Sequence, residues 1–75
     1  MINEIGRMIV EITVNGKKQN HDAPLTVCGL LQALGINPRL VIVERNLTIV
    51  PRTEMEIEAL QEGDTIEIIR FVGGG

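Results

Sequence analysis

The stretch MIVEITVNGKKQNH, residues 8–21, decides how the fold begins, because it has the pattern of a β-hairpin. Apolar and polar side chains alternate over residues 10–14, which predicts a strand with one buried face. Asn15 and Gly16 follow, and both tolerate the positive φ of a two-residue hairpin turn. Residues 17–21 are polar and predict a returning strand near an edge of the sheet. The side chains of the first strand expected to face the core are Val10, Ile12 and Val14.

A helix with two marked ends is predicted next. Thr26 is a suitable N-cap, and Leu25 and Leu30 stand at the positions of a hydrophobic staple. Gly35 supplies the left-handed residue that ends the helix. The apolar residues that form one stripe along this helix are Val27, Leu30, Leu31 and Leu34.

The second half of the chain predicts further strands. Residues 40–45 are rich in β-branched side chains, Asn46-Leu47 is a turn candidate, and residues 48–50 form a short strand. Residues 62–64, Glu-Gly-Asp, predict a turn before the last strand at residues 65–71. In that strand Ile66 and Ile68 are expected to face the core and Ile69 to face outward.

The order of these elements predicts an α+β roll, a mixed sheet of four to five strands packed on one helix. A single short helix covers only one face of one sheet, and the two most regular strands, residues 8–14 and 65–71, are expected side by side at its centre. Residues 53–60 fit either a weak strand or an extended loop. The predicted divisions of the chain are an N-terminal extension at 1–7, one domain at 8–72 and a flexible glycine tail at 73–75.

Composition argues against several classes of function. The chain has 75 residues, a net charge of −3, scattered basic residues and Phe71 as its single aromatic side chain. A nucleic-acid partner is therefore not expected, whereas a protein partner with a basic docking face fits a mildly acidic surface. No apolar run approaches the roughly 18 residues that cross a bilayer. Residues 1–7 also lack a signal-peptide pattern, so the expected location is the cytoplasm, without membrane association.

The usual catalytic constellations are missing from the sequence. His21 is the single histidine and Cys28 the single cysteine, which leaves few candidates for a nucleophile–base pair or a metal site. His21 is interpreted as a solvated surface residue, and Cys28 as a small half-buried packing residue. The chain is therefore expected to be a carrier or binding module with no metal site.

The glycines at the end of the sequence are the unusual feature. A strong predicted strand runs into Val72 and then Gly73-Gly74-Gly75. Glycine has no Cβ, and three residues extend about 10 Å, so such a tail can thread a narrow channel and present a carboxylate inside another protein. A frayed end or a linker remnant has the same composition, so composition alone leaves both interpretations open.

A resemblance to a known family rests on short segments whose order and spacing together are specific. They are LLQALGI at 30–36, VIVERN at 41–46, IVPR at 49–52, Leu60, EGD at 62–64, EI at 67–68 and RFVGGG at 70–75. With these segments the chain resembles the thiamine-pathway sulfur carrier family, ThiS, over residues 8–75. Two departures are that Leu47 replaces the glycine many members carry after Asn46, and that residues 1–7 lie outside the usual pattern.

The resemblance implies a ubiquitin-like β-grasp fold and a carrier mechanism. An E1-like adenylyltransferase of the ThiF type would use ATP and magnesium to activate the carboxylate of Gly75. A sulfur donor such as a cysteine desulfurase would then supply sulfur, giving a thiocarboxylate that thiazole synthase of the ThiG type accepts. Gly73 and Gly74 would thread the partner's active site, and the chain itself would be non-catalytic and bind no cofactor.

A partner-docking surface is expected beside the tail. Ile69 should face away from the core, Phe71 follows at the same parity, and Ile42 should do likewise on the neighbouring strand. Arg70 is either a partner for an acidic group or a solvated edge charge. A register shifted by one residue would instead place these apolar side chains in the core.

Three alternative functions stay open on the sequence. The small subunit of molybdopterin synthase shares the fold and the glycine end, and differs in the enzyme that accepts sulfur. A ubiquitin-like modifier would pass the acyl group to lysines. A plain β-grasp interaction module would not need its last two glycines at all.

Overall fold

A five-stranded mixed sheet and one α-helix form the fold in the computed structural model, which describes residues 2–71. The strand order is β2-β1-β5-β3-β4, so β5 lies at the centre beside β1, as predicted. β1 and β5 run parallel, and the other neighbouring strands run antiparallel. The elements are β1 Ile9–Val14, β2 Lys17–Asp22, α1 Val27–Ala33, a 3-10 helix Pro38–Leu40, β3 Val41–Arg45, β4 Thr48–Ile49, a 3-10 helix Arg52–Glu54 and β5 Thr65–Arg70.

The opening hairpin forms as its sequence predicts. Asn15 and Gly16 have φ values of 48° and 82°, and Val14 pairs with Lys17 across the turn. Asn15 has a second role, since its side-chain Oδ1 accepts a hydrogen bond from the Ile68 amide at 2.7 Å. The turn therefore extends the pairing of β1 with β5 beyond the end of β1.

The helix begins and ends at the predicted residues. The Thr26 hydroxyl accepts a hydrogen bond from the Gly29 amide at 3.0 Å. Gly35 has φ 70°, and the Ile36 amide donates to the Leu31 carbonyl at 2.9 Å, which is a Schellman ending. The core lies between this helix and the inner face of the sheet. Its residues are Val10, Ile12, Val14, Val27, Leu30, Leu31, Val41, Val43, Val50, Met55, Leu60, Ile66 and Ile68.

Residues 53–60 form a loop with a 3-10 turn, so the weak-strand alternative was wrong. Met55 is 4% exposed and Ile57 is 76% exposed, which breaks the expected alternation. The loop crosses the start of α1, where the Cys28 amide donates to the Met55 carbonyl at 2.8 Å and the Val27 amide to the Glu58 carbonyl at 3.2 Å. These contacts satisfy amides that the first turn of a helix leaves without partners, and local sequence periodicity does not reveal them.

Five predicted strand limits shift by one residue. β1 begins at Ile9 and β2 ends at Asp22. Leu40 belongs to a 3-10 helix, so β3 begins at Val41. β4 ends at Ile49, and β5 ends at Arg70. Before β1, Ile2 forms an isolated bridge with Met8. Of the described helices, none is long and apolar enough to cross a membrane.

Candidate functional site

The outer face of the sheet, opposite the helix, carries two of the predicted docking residues, Ile42 on β3 and Ile69 on β5. Ile42 pairs directly with Ile69 across the two strands, so both side chains lie on the same face. Ile69 is 45% exposed and Ile42 is half-buried, whereas Ile68 faces the core. The predicted strand register is therefore confirmed, and the alternative that buries Ile69 is wrong.

Ile49 adds a third apolar side chain to this face. It pairs with Glu44, which lies on the same face of β3 as Ile42, and it is 59% exposed. Sequence reasoning missed Ile49, although its alternation with buried Val50 could have revealed it. We call Ile42, Ile49 and Ile69 the outer-face patch.

Phe71 and Arg70 lie at the end of β5 in different positions relative to that patch. Phe71 is exposed, and its amide donates to the Leu40 carbonyl at 3.1 Å. Arg70 is exposed but has the parity of inward-facing Ile68, so it does not share the face of Ile69. Gly73, Gly74 and Gly75, the predicted threading and sulfur-carrying residues, lie outside the described residues.

Two carboxylates stand directly opposite each other on the outer face. Glu44 pairs with Glu67 in the register of β3 and β5. Like charges at such positions destabilise a sheet, and no ion pair involves either side chain within residues 2–71. The outer face therefore combines apolar side chains with negative charge.

A second charged cluster lies at the start of β5, where Asp64 is buried and Arg45 and Glu58 are half-buried. Arg45 Nε donates to Asp64 Oδ2 at 2.8 Å, and Arg45 Nη1 lies 3.3 Å from Glu58 Oε2. Asn46 Nδ2 donates to Asp64 Oδ1 at 2.9 Å, and the Gln61 amide donates to Asp64 Oδ2 at 2.7 Å. Sequence analysis treated Asp64 only as a turn residue, because its partners Arg45 and Asn46 lie 19 and 18 positions earlier in the chain.

The protonation of this cluster follows from its contacts. Burial by itself raises the pKa of Asp64, but hydrogen bonds from the Gln61 amide, Asn46 and Arg45 outweigh it and hold that pKa below its usual value. Burial by itself lowers the pKa of Arg45, but its bonds to Asp64 and Glu58 outweigh that effect and raise it. The cluster is a network of ion pairs and hydrogen bonds that connects the β3–β4 turn to the start of β5.

His21 and Cys28 lie apart from the outer-face patch. His21 Nε2 is 2.8 Å from Gln19 Oε1 on the edge strand, and the residue is half-buried, so the expectation of a solvated histidine was only partly right. Cys28 is half-buried against the core in the first turn of α1, as predicted. Within the described part of the chain, no group of three or more His, Cys, Asp or Glu residues could hold a metal ion.

The fold defines the class of protein. A mixed sheet in this order with one helix across its inner face is a ubiquitin-like β-grasp domain. The crystal structure of the thiamine biosynthesis protein ThiS from Geobacter metallireducens is similar, with a TM-score of 0.75 and 35% identity. The match covers 88% of this chain and 100% of that one.

The chain belongs to the ThiS family, whose model matches residues 8–75. The sulfur carrier protein ThiS of Bacillus subtilis is 40% identical over 50 residues, covering 67% of this chain and 76% of that protein. The thiazole synthase of Paramagnetospirillum magneticum is 44% identical over 66 residues, or 88% of this chain. The match covers only 20% of that synthase, so the chain spans about one fifth of its length.

Proposed function

We propose that this chain is a sulfur carrier of thiamine biosynthesis and that Gly75 is the residue that carries the sulfur. The observation that carries the proposal is the ThiS family match, which runs from residue 8 through Gly75 and so includes the glycine tail. The Bacillus subtilis relative, named a sulfur carrier protein, supports the same role.

The proposed reaction begins with activation of the Gly75 carboxylate by an E1-like adenylyltransferase of the ThiF type. A carboxylate oxygen attacks the α-phosphorus of ATP, the bond to the β-phosphate breaks, and pyrophosphate leaves. Magnesium, held by the partner and by the phosphates, offsets the negative charge. The product is an acyl-adenylate, whose AMP is a far better leaving group than the oxide of a carboxylate.

Sulfur enters at the activated carbon. Attack by hydrosulfide forms a carbon–sulfur bond, releases AMP and leaves a thiocarboxylate on Gly75. The terminal sulfur of a persulfide, such as one on a cysteine desulfurase, instead displaces AMP and gives an acyl disulfide. A thiol then cleaves its S–S bond, which oxidises the thiol to a disulfide and leaves the same thiocarboxylate.

Thiazole synthase of the ThiG type is the proposed acceptor of that sulfur. Two proteins named thiazole synthase contain a segment that is 44% identical to this chain over 66 residues. A polypeptide that joins a carrier-like segment to a synthase supports this acceptor over molybdopterin synthase.

The partners would dock on the outer-face patch and on Phe71, with Arg70 at the margin. The exposed apolar groups fit a protein interface, and the Glu44–Glu67 pair fits a partner with basic groups. In this proposal the chain works in the cytoplasm and is non-catalytic. The catalytic acids and bases belong to its partners, and the partner adenylyltransferase uses the ATP and magnesium.

Intact mass spectrometry tests the proposal. The chain is incubated with ATP, magnesium, sulfide and a thiamine-pathway adenylyltransferase, and the expected mass shift equals replacement of one oxygen by sulfur, mapped to Gly75. A variant that lacks Gly75 is the matched control and should show no shift. An unchanged wild-type mass, with the same enzyme active on its own carrier, would refute the proposal.

A further inference from the structure

Arg52 holds a short segment of backbone at the place where the chain leaves the sheet. Its Nη1 atom donates to the Pro38 carbonyl, and its Nη2 atom lies 3.3 Å from the carbonyl oxygens of both Arg39 and Val41. One side chain therefore binds three carbonyls within four consecutive residues, 38–41.

The fourth carbonyl of that segment binds the end of β5. The Leu40 carbonyl accepts a hydrogen bond from the Phe71 amide at 3.1 Å. Phe71 is the last described residue before the glycine tail. The position of the Leu40 carbonyl, and with it the course of the chain at Phe71, therefore depends on a segment that Arg52 holds from the side.

The chemistry of the contact suits arginine in particular. The carbonyls at the end of a 3-10 helix lack helical donors and carry partial negative charge. A planar guanidinium offers several donors in a fixed arrangement, whereas a lysine ammonium is a single point on a flexible stem.

The backbone before Arg52 is fixed in turn. Val50 is buried, and its amide donates to the Val43 carbonyl at 2.9 Å. Pro51 has φ −61°, in the narrow range its ring allows. The three residues Val50, Pro51 and Arg52 therefore work together: the first two fix the backbone, and the third reaches the neighbouring segment.

We propose that Arg52 is a positioning residue for the tail. It holds the Leu40 carbonyl in place for Phe71 and so sets the direction in which the chain leaves the β-grasp domain. Its consequence for the reaction depends on the proposed function. Gly75 lies four residues beyond Phe71, and four residues span at most about 14 Å, so this direction limits where the Gly75 carboxylate can arrive.

Hydrogen exchange tests the structural half of the proposal without any partner. In Arg52→Gln the Phe71 amide should exchange about tenfold faster, while amides of buried Val43 and Ile68 keep their rates, because the opening is local. Arg52→Lys should show an intermediate rate. Arg39→Gln is the matched control, since it removes a charge from the same segment but leaves the backbone carbonyl in place.

Steady-state adenylylation by the partner tests the other half. Arg52→Gln should lower kcat by about tenfold and change KM for the carrier less than twofold, because the carboxylate is misplaced while the outer-face patch is intact. Arg39→Gln should match the wild type in both constants.

The outcomes separate this proposal from the proposed function. An unchanged Phe71 exchange rate in Arg52→Gln, or an unchanged kcat, would overturn the positioning role alone. Failure of the adenylyltransferase to act on the wild-type chain would overturn the proposed function, and with it the role of Arg52 in that reaction.

Discussion

The two ends of strand β5 are held in very different ways. At its start, Asp64 is 7% exposed and accepts hydrogen bonds from Arg45, Asn46 and the Gln61 amide. At its end, Phe71 is 56% exposed and makes one backbone hydrogen bond to Leu40. The side-chain hydrogen bonds to a buried group are therefore concentrated at the start of the strand, whereas its end is exposed.

Removing the buried acceptor should have the largest effect on stability. Asp64→Ala leaves the Arg45 guanidinium and two further donors without their acceptor, and should lower the free energy of unfolding by about 3 kcal/mol. Urea unfolding followed by far-UV circular dichroism measures this, since the chain has no Trp or Tyr. Asp22→Ala, which removes the exposed ion pair with Arg7 and an exposed hydrogen bond from Asn3, is the control and should cost less than about 1 kcal/mol. Equal losses in the two variants would contradict the contrast between the ends of β5.

Acid should reduce the contribution of the same cluster to stability. Because the folded pKa of Asp64 lies below its unfolded value of about 3.9, its contribution is complete above that pH and is lost as the pH falls through the folded pKa. The stability difference between wild type and Asp64→Asn should therefore be largest near neutral pH and shrink in acid. Urea titrations at several pH values measure it, and a difference that does not vary with pH would show that Asp64 does not titrate as its contacts require.

A change near the other end of β5 should affect function and not folding. Ile69→Asp places a charge in the outer-face patch and should weaken binding to the adenylyltransferase about tenfold or more, while the far-UV spectrum stays native. Calorimetric titration with the partner measures this, with Ile57→Asp as a control because Ile57 is an exposed isoleucine on the loop instead of the sheet. Loss of the native spectrum in Ile69→Asp would show that this face supports the fold.

The smallest effect is expected in the turn beside the buried cluster. Leu47 has φ 72°, a conformation that strains a side chain bearing a Cβ, and it is 88% exposed. Leu47→Gly should therefore raise the free energy of unfolding, by about 0.5 kcal/mol once the greater flexibility of unfolded glycine is counted. The same urea assay measures it, and a clear loss of stability would mean that Leu47 makes contacts which outweigh the strain.

Sequence reasoning was most successful where conformation is local. The Asn15-Gly16 turn, the Thr26 cap and the Gly35 ending depend on neighbours a few residues apart, and all three are confirmed. It could not choose between a weak strand and a loop for residues 53–60, because the contact that decides the matter, with the amides of α1, comes from a distant part of the chain.

The candidate site was predicted in part for the same reason. Alternation placed Ile69 and Ile42 on the outer face, which the strand register confirms. Nothing in the sequence showed that Arg52 would reach three carbonyls at residues 38–41, or that Arg45 would meet Asp64, 19 positions along the chain.

Sequence alone is enough to predict the hairpin, the helix limits and the inward and outward faces of the strands, because side-chain periodicity and turn preferences act over a few residues. The folded structure is needed to see which charges meet around buried Asp64, which loop covers the start of α1, and how residues 38–41 receive the end of β5. Those contacts join segments far apart in the chain, and the packing of the helix on the sheet brings them within hydrogen-bond distance.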